Sequence, residues 1–108
     1  MTLRRNSLPV LVVISGLLSV SARAETIQVT IDKLVFAPAE VNAKIGDTIE
    51  WVNKDSLLHN AKATNGDWTV NLPPKQNGQV VLKKAGTIDY SCTFHPNMKG
   101  RIIVAPAS

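Results

Sequence analysis

From Thr26 onward the hydrophobic residues recur with a period of two. Ile27, Val29 and Ile31 alternate with polar neighbours, the pattern of a strand with one face on a core. After a turn at Lys44-Ile45-Gly46-Asp47 the alternation returns in Thr48-Ile49-Glu50-Trp51-Val52-Asn53, and Gln79 to Leu82 reads as a further short strand. A turn at Ala85-Gly86 opens Thr87-Ile88-Asp89-Tyr90-Ser91-Cys92, and Arg101-Ile102-Ile103-Val104 closes the chain. The stretch from Thr64 to Gly78, with Asn-Gly-Asp and Pro-Pro, reads as a long connection holding one short strand around Trp68 to Val70. No segment carries the spacing of an amphipathic helix. Short strands separated by Gly and Pro turns predict an all-β domain, a sandwich or barrel of antiparallel sheets. Trp51 is expected in its core. Tyr90, two residues before Cys92 and four after Gly86, has the placement of a tyrosine corner, whose hydroxyl bonds back to the chain upstream; an ordinary buried strand tyrosine fits it equally well.

The N-terminus follows other rules. Arg4 and Arg5 precede an apolar run from Leu8 to Val20, and Ala22-Arg23-Ala24 then places small residues where a signal peptidase reads them. The run is too short to span a bilayer. Residues 1–24 are therefore expected to be a cleaved signal, with residues 25–108 forming the exported domain, periplasmic in location and without a membrane span. The charge balance changes with this division. The whole chain has 12 basic and 8 acidic residues, but Arg4, Arg5 and Arg23 leave with the signal. The near-neutral remainder lacks the clustered positive charge that a nucleic-acid partner requires. Its size excludes an α/β barrel, a two-halved dinucleotide fold and any multidomain enzyme.

One cysteine, Cys92, is present, so no internal disulfide can form. In an oxidising compartment such a thiol must be buried, paired with another chain or bound to a metal. Its neighbours favour the metal. His95 and Met98 follow at intervals of three, in what reads as the loop between two strands, and the only other histidine, His59, lies just beyond the strand ending at Asn53. Two imidazoles, a thiolate and a thioether are the donor set of a mononuclear blue-copper centre, a His₂Cys plane with a weak axial Met. Zinc would take the Cys and both His but has little use for a thioether. A Cys–His nucleophile would need a substrate cleft and an oxyanion site, which so small a chain does not offer.

Trp51-Val52-Asn53, His59-Asn60 and the run from Ala85 through Tyr90, Cys92, His95 and Met98 to Gly100 together resemble the cupredoxins, the small blue-copper proteins. The tight Cys-x-x-His-x-x-Met loop is most similar to the amicyanin branch, with pseudoazurin and plastocyanin more distant. The resemblance implies a Greek-key β-sandwich of seven or eight strands with one copper ion at one end, held by His59, Cys92, His95 and Met98. It implies that Asn60 bonds across to the ligand loop at Thr93. It also implies a monomeric one-electron carrier, not an enzyme, with the edge of His95 exposed inside a small apolar patch of Leu57, Leu58 and Pro96. Transient partners would be an amine dehydrogenase, a c-type cytochrome or a copper reductase. The alternative is a copper-delivery protein using the same donors. Two positions depart from the branch. Phe94 stands where proline is usual and restores an N–H that could reach the Cys92 sulfur, and Asn97 replaces a larger apolar residue.

Overall fold

The computed structural model describes residues 23–107, so the expected export signal lies, but for its last two residues, outside the described residues. Among the described residues every regular element is a strand: β1 (Thr26–Asp32), β2 (Val35–Ala37), β3 (Glu40–Lys44), β4 (Thr48–Asn53), β5 (His59–Ala63), β6 (Thr69–Leu72), β7 (Asn77–Val81), β8 (Gly86–Cys92) and β9 (His95–Ala105). They form a four-stranded sheet, β2-β1-β4-β7, and a five-stranded sheet, β3-β9-β8-β5-β6. The two sheets enclose one core and make the expected β-sandwich, with nine strands instead of seven or eight. β2, β3 and β5 have little periodic signal. β2 is only three residues long, and the inward residues of β5 are His59, Ala61 and Ala63.

Two pairings correct the expectation of purely antiparallel sheets. β1 lies parallel to β4, from Thr26↔Thr48 to Ile31↔Asn53, and β3 lies parallel to β9. The route of the chain explains the first pairing. After β1 and β2 it crosses to the other sheet as β3 and returns at Gly46, in a left-handed conformation at φ 98° that glycine adopts without strain. It thus enters β4 from the same end as β1. The loops after β1, β4 and β6 and the turn after β8 consequently gather at one end of the sandwich.

Between the sheets, alternate residues of β1, β4, β8 and β9 are buried. Phe36, Trp51 and Tyr90 meet edge to face, with centroids 4.8 and 5.4 Å apart, a geometry that aligns positive ring edges with negative faces. Trp51 Nε1 donates to the Tyr90 hydroxyl at 3.2 Å. This tyrosine therefore bonds across the core to a side chain and is an ordinary buried strand residue, without the upstream bond of a tyrosine corner. Burial pushes its phenol up to about 12. A methyl group at Gly100 would collide with the ring of Tyr90, so this position must stay glycine.

The end opposite the gathered loops is closed by Asp47, whose side chain is buried. Its Oδ1 accepts the backbone N–H of Glu25 and its Oδ2 that of Lys44, both at 2.9 Å. The bond from Glu25 is the main cause that holds the Asp47 carboxyl below the usual carboxylate range; burial opposes it, and the Lys44 amide and ammonium assist.

Candidate metal centre

The site begins with a buried amide. Asn53 ends β4 on its inward face, and its Nδ2 donates to the carbonyls of Leu57, Leu72 and Pro73 at 3.0–3.1 Å. Its Oδ1 accepts the N–H of Asp55 at 2.9 Å. One side chain thus satisfies the polar backbone of two loops that would otherwise be buried unpaired, and it fixes residues 54–58 against β6.

The position of Asp55 sets the state of His59. Lys33 and Leu34 turn between β1 and β2 with φ of 54° and 66°. Their consecutive amides donate to Asp55 Oδ1 and Oδ2 at 2.7 and 3.0 Å. Asp55 Oδ2 also lies 2.8 Å from His59 Nε2. Burial pushes this carboxyl up, but the bonds from His59, Leu34 and Lys33 outweigh it and hold the group below the usual range. A carboxylate can only accept, so Nε2 carries the proton and the Nδ1 lone pair points the other way. A carboxylate behind a ligand histidine fixes its ring and raises its basicity.

Nδ1 points at the thiol. Cys92 Sγ lies 3.7 Å from His59 Nδ1 and 3.7 Å from His95 Nδ1, with Cys92 and His59 buried and His95 partly exposed. Cys92 and His95 face each other across a two-residue turn, Thr93-Phe94, as the paired ends of β8 and β9. The expected ligand loop is thus a tight hairpin, and β9 begins at His95, six residues before Arg101, where the sequence suggested. Asn60 ties the turn to β5 by two bonds, Nδ2 to Thr93 Oγ1 at 3.0 Å and Oδ1 from the Thr93 N–H at 2.8 Å. The cross-link expected of Asn60 is present.

These residues fit a metal ion. The donor atoms of His59, Cys92 and His95 all lie within 4.8 Å of one another. Nitrogen and sulfur on bonds of roughly 2.0 and 2.3 Å, opened to about 120°, stand about 3.7 Å apart. Both observed N–S separations are 3.7 Å, too long for strong hydrogen bonds and right for two donors sharing an ion. Met98 lies on the inward face of β9 and is buried. A soft thiolate with two imidazoles and an available thioether is a set that favours copper.

Other expectations resolve as follows. Leu57, Leu58 and Pro96 are exposed at this end, and Leu34 and Phe94, 43% and 52% exposed, join them. Phe94 turns its ring outward at this end. Asn97 is exposed. Asp55 carries the local electrostatics yet escaped sequence reasoning. The available signal was an acid four residues before a candidate ligand histidine.

Residues 7–104 match the model of the cupredoxin-like domain. The chain is 33% identical over 84 residues to the amicyanin of Paracoccus denitrificans, covering 72% of this chain and 64% of that protein. It therefore spans just under two thirds of that relative. Against amicyanin-alpha of Methylorubrum extorquens it is 35% identical over 89 residues, covering 77% of this chain and 75% of the relative. Among solved structures, a methionine-to-glutamine variant of amicyanin with Cu(I) superposes with a TM-score of 0.66 at 30% identity, covering 73% of this chain and 81% of the other. With its two-sheet sandwich and its His-Cys-His cluster at one end, the chain belongs to the cupredoxin-like family.

Proposed function

We propose that this protein is a periplasmic one-electron carrier, not an enzyme, whose single copper ion is held by His59, Cys92, His95 and Met98. The observation that carries the reading is the convergence of two Nδ1 atoms on one buried sulfur, with one of those rings locked from behind by Asp55. The chemistry of the amicyanin relatives supports it. Bound copper would supply a one-electron couple, Cu(II)/Cu(I).

The chain's own residues supply the rest. Asp55 keeps the His59 proton on Nε2 and so offers Nδ1 inward. The Asn60–Thr93 cross-link and the two-residue turn hold Cys92 and His95 at fixed spacing, which limits rearrangement between redox states. Burial of Cys92 and His59 excludes water from one side, while the partly exposed His95 leaves a ring edge within reach of a docked protein. Around that edge Leu34, Leu57, Leu58, Phe94 and Pro96 form an apolar face suited to brief encounters, which a carrier needs for turnover. The loops of this end also carry Lys33, Lys54 and Lys75, all exposed. The acid within these loops is Asp55, turned inward on His59, and the exposed Asp32 adjoins them at the close of β1. The partner face is therefore apolar at its centre and acidic at its rim. An amine dehydrogenase, a c-type cytochrome or a copper reductase could present it.

The test is the visible spectrum of the purified protein with Cu(II) added. An intense absorption in the red, bleached by a one-electron reductant and restored by reoxidation, is expected. A colourless protein that takes only Cu(I) would assign it to copper delivery.

A further inference from the structure

We propose that Asp47 is the receptor for the processed N-terminus: cleavage after Ala24 turns the backbone nitrogen of Glu25 into an α-ammonium that pairs with this buried carboxylate, a clasp the precursor lacks. Two independent observations meet at the same peptide bond. In the sequence, Ala22-Arg23-Ala24 places the small residues of a signal-peptidase site immediately before Glu25. In the fold, Glu25 is the first residue with both backbone groups anchored. Its nitrogen donates to Asp47 Oδ1 at 2.9 Å and its carbonyl accepts the Thr48 N–H at 2.9 Å. Arg23 and Ala24 are exposed and precede β1.

The chemistry of cleavage changes only one partner. Hydrolysis of the Ala24–Glu25 bond consumes one water, leaves a carboxylate on Ala24 and an amine on Glu25, and that amine takes up a proton below its ordinary pKa of about 7.7–8.0. A neutral amide donor becomes a cationic one facing a charged acceptor already removed from water, and charge-assisted bonds are about twice as strong as neutral ones. Neighbouring charges are few. Lys44 Nζ stands 3.8 Å from the other Asp47 oxygen, and Lys83 follows Leu82, whose N–H donates to the Asp47 carbonyl. The side chain of Glu25 belongs to an exposed residue. Register matters as well. A terminus one residue off would sit roughly 3.3 Å away along the strand, out of contact with Oδ1. Export and folding are thereby linked, since the full stabilising contact arrives only once the signal has gone.

Pairing raises the pKa of the amine in the folded state. Its contribution is therefore complete below the unfolded value and is lost as pH rises through the folded one. The experiment compares the exported, copper-loaded protein with the same chain carrying one methionine before Glu25, each with Asp47 intact and as Asp47→Asn. The exported form should begin at Glu25, and its α-amine, followed by NMR, should titrate at least one unit above its ordinary value. Its unfolding equilibrium constant at pH 7 should be about tenfold smaller than that of the extended chain, one pKa unit being a factor of ten. That advantage should vanish by about pH 10 and in the Asp47→Asn pair. A mature terminus at another residue, an α-amine with its ordinary pKa, or equal stability of the two chains at pH 7 would each overturn the proposal. If Asp47→Asn does not fold, the titration and the extended chain still decide it. None of these outcomes depends on the electron-carrier reading.

Discussion

Asp47 and Asp55 bracket β4, one just before it and one just after, and each closes an end of the sandwich by catching two backbone amides. Their third contacts separate them. Asp47 has a lysine ammonium beside it at 3.8 Å, whereas Asp55 has the ring nitrogen of His59 at 2.8 Å. One carboxylate fastens strands; the other, built the same way, selects the tautomer of a proposed metal donor. A device that stabilises a fold becomes functional when one of its partners is a side chain that can use the order imposed on it.

The comparison can be broken most forcefully at the sulfur. Cys92→Ser should abolish the visible band of the copper-loaded protein, since the thiolate supplies the charge transfer, while Met98→Leu should leave a coloured centre because an axial thioether bond is long and weak. Absorption spectra of the two variants decide this; colour in Cys92→Ser and none in Met98→Leu would reverse the roles assigned.

Asp55→Ala should weaken copper binding about 10- to 100-fold, the usual effect of losing the group behind a ligand histidine, as measured by competition with a chelator. Asp47→Asn should leave that affinity unchanged and instead destabilise the fold by about 1–3 kcal/mol, the penalty for disturbing a buried acceptor, as measured by denaturant unfolding. Equal effects of the two substitutions on affinity would erase the distinction between the ends.

Acid sharpens it further. The Asp47 carboxyl is held below its usual range, so its contribution is complete above the unfolded value of about 3.9 and is lost as pH falls through the depressed one. The denaturation midpoints of the wild type and Asp47→Asn should therefore converge on acidification. Midpoints that stay equally far apart at every pH would mean that the carboxylate's charge is irrelevant to its role.

The smallest effect lies in the lysines. Oxidation of the reduced protein by hexacyanoferrate(III) should slow roughly threefold as the Debye length shrinks from about 30 to 8 Å. Replacing Lys33, Lys54 and Lys75 by glutamate should reverse that trend, and replacing Lys44, Lys83 and Lys84 at the other end should not.

The two ends also differ in how much of them the sequence discloses. The strands flanking Asp47, β1 and β4, carry large apolar residues at every second position, so their alternation is plain. β5 at the metal end turns His59, Ala61 and Ala63 inward, and neither polar nor small side chains produce a hydrophobic signal. The proposed donors His59, Cys92, His95 and Met98 are legible because their residue types are scarce and their spacing is chemical. Asp55 was not, because its role depends on amides more than twenty residues away, which only the folded chain brings near. The parallel pairings likewise follow from the path of the chain between sheets, which local periodicity does not encode.

The alternation of β9 bears on how such a protein changes over generations. Met98, Gly100, Ile102 and Val104 all face inward in unbroken succession, so the thioether is the outermost member of a row whose spacing the sandwich interior dictates. Selection can exchange that one side chain for another of similar bulk without altering the hairpin that carries Cys92 and His95. An insertion of one residue between Gly100 and Val104, inside the stretch paired with β8, would instead turn the residues beyond it to the solvent face. Substitution at Met98 is therefore compatible with the fold, while single-residue changes in the length of the paired part of β9 are not.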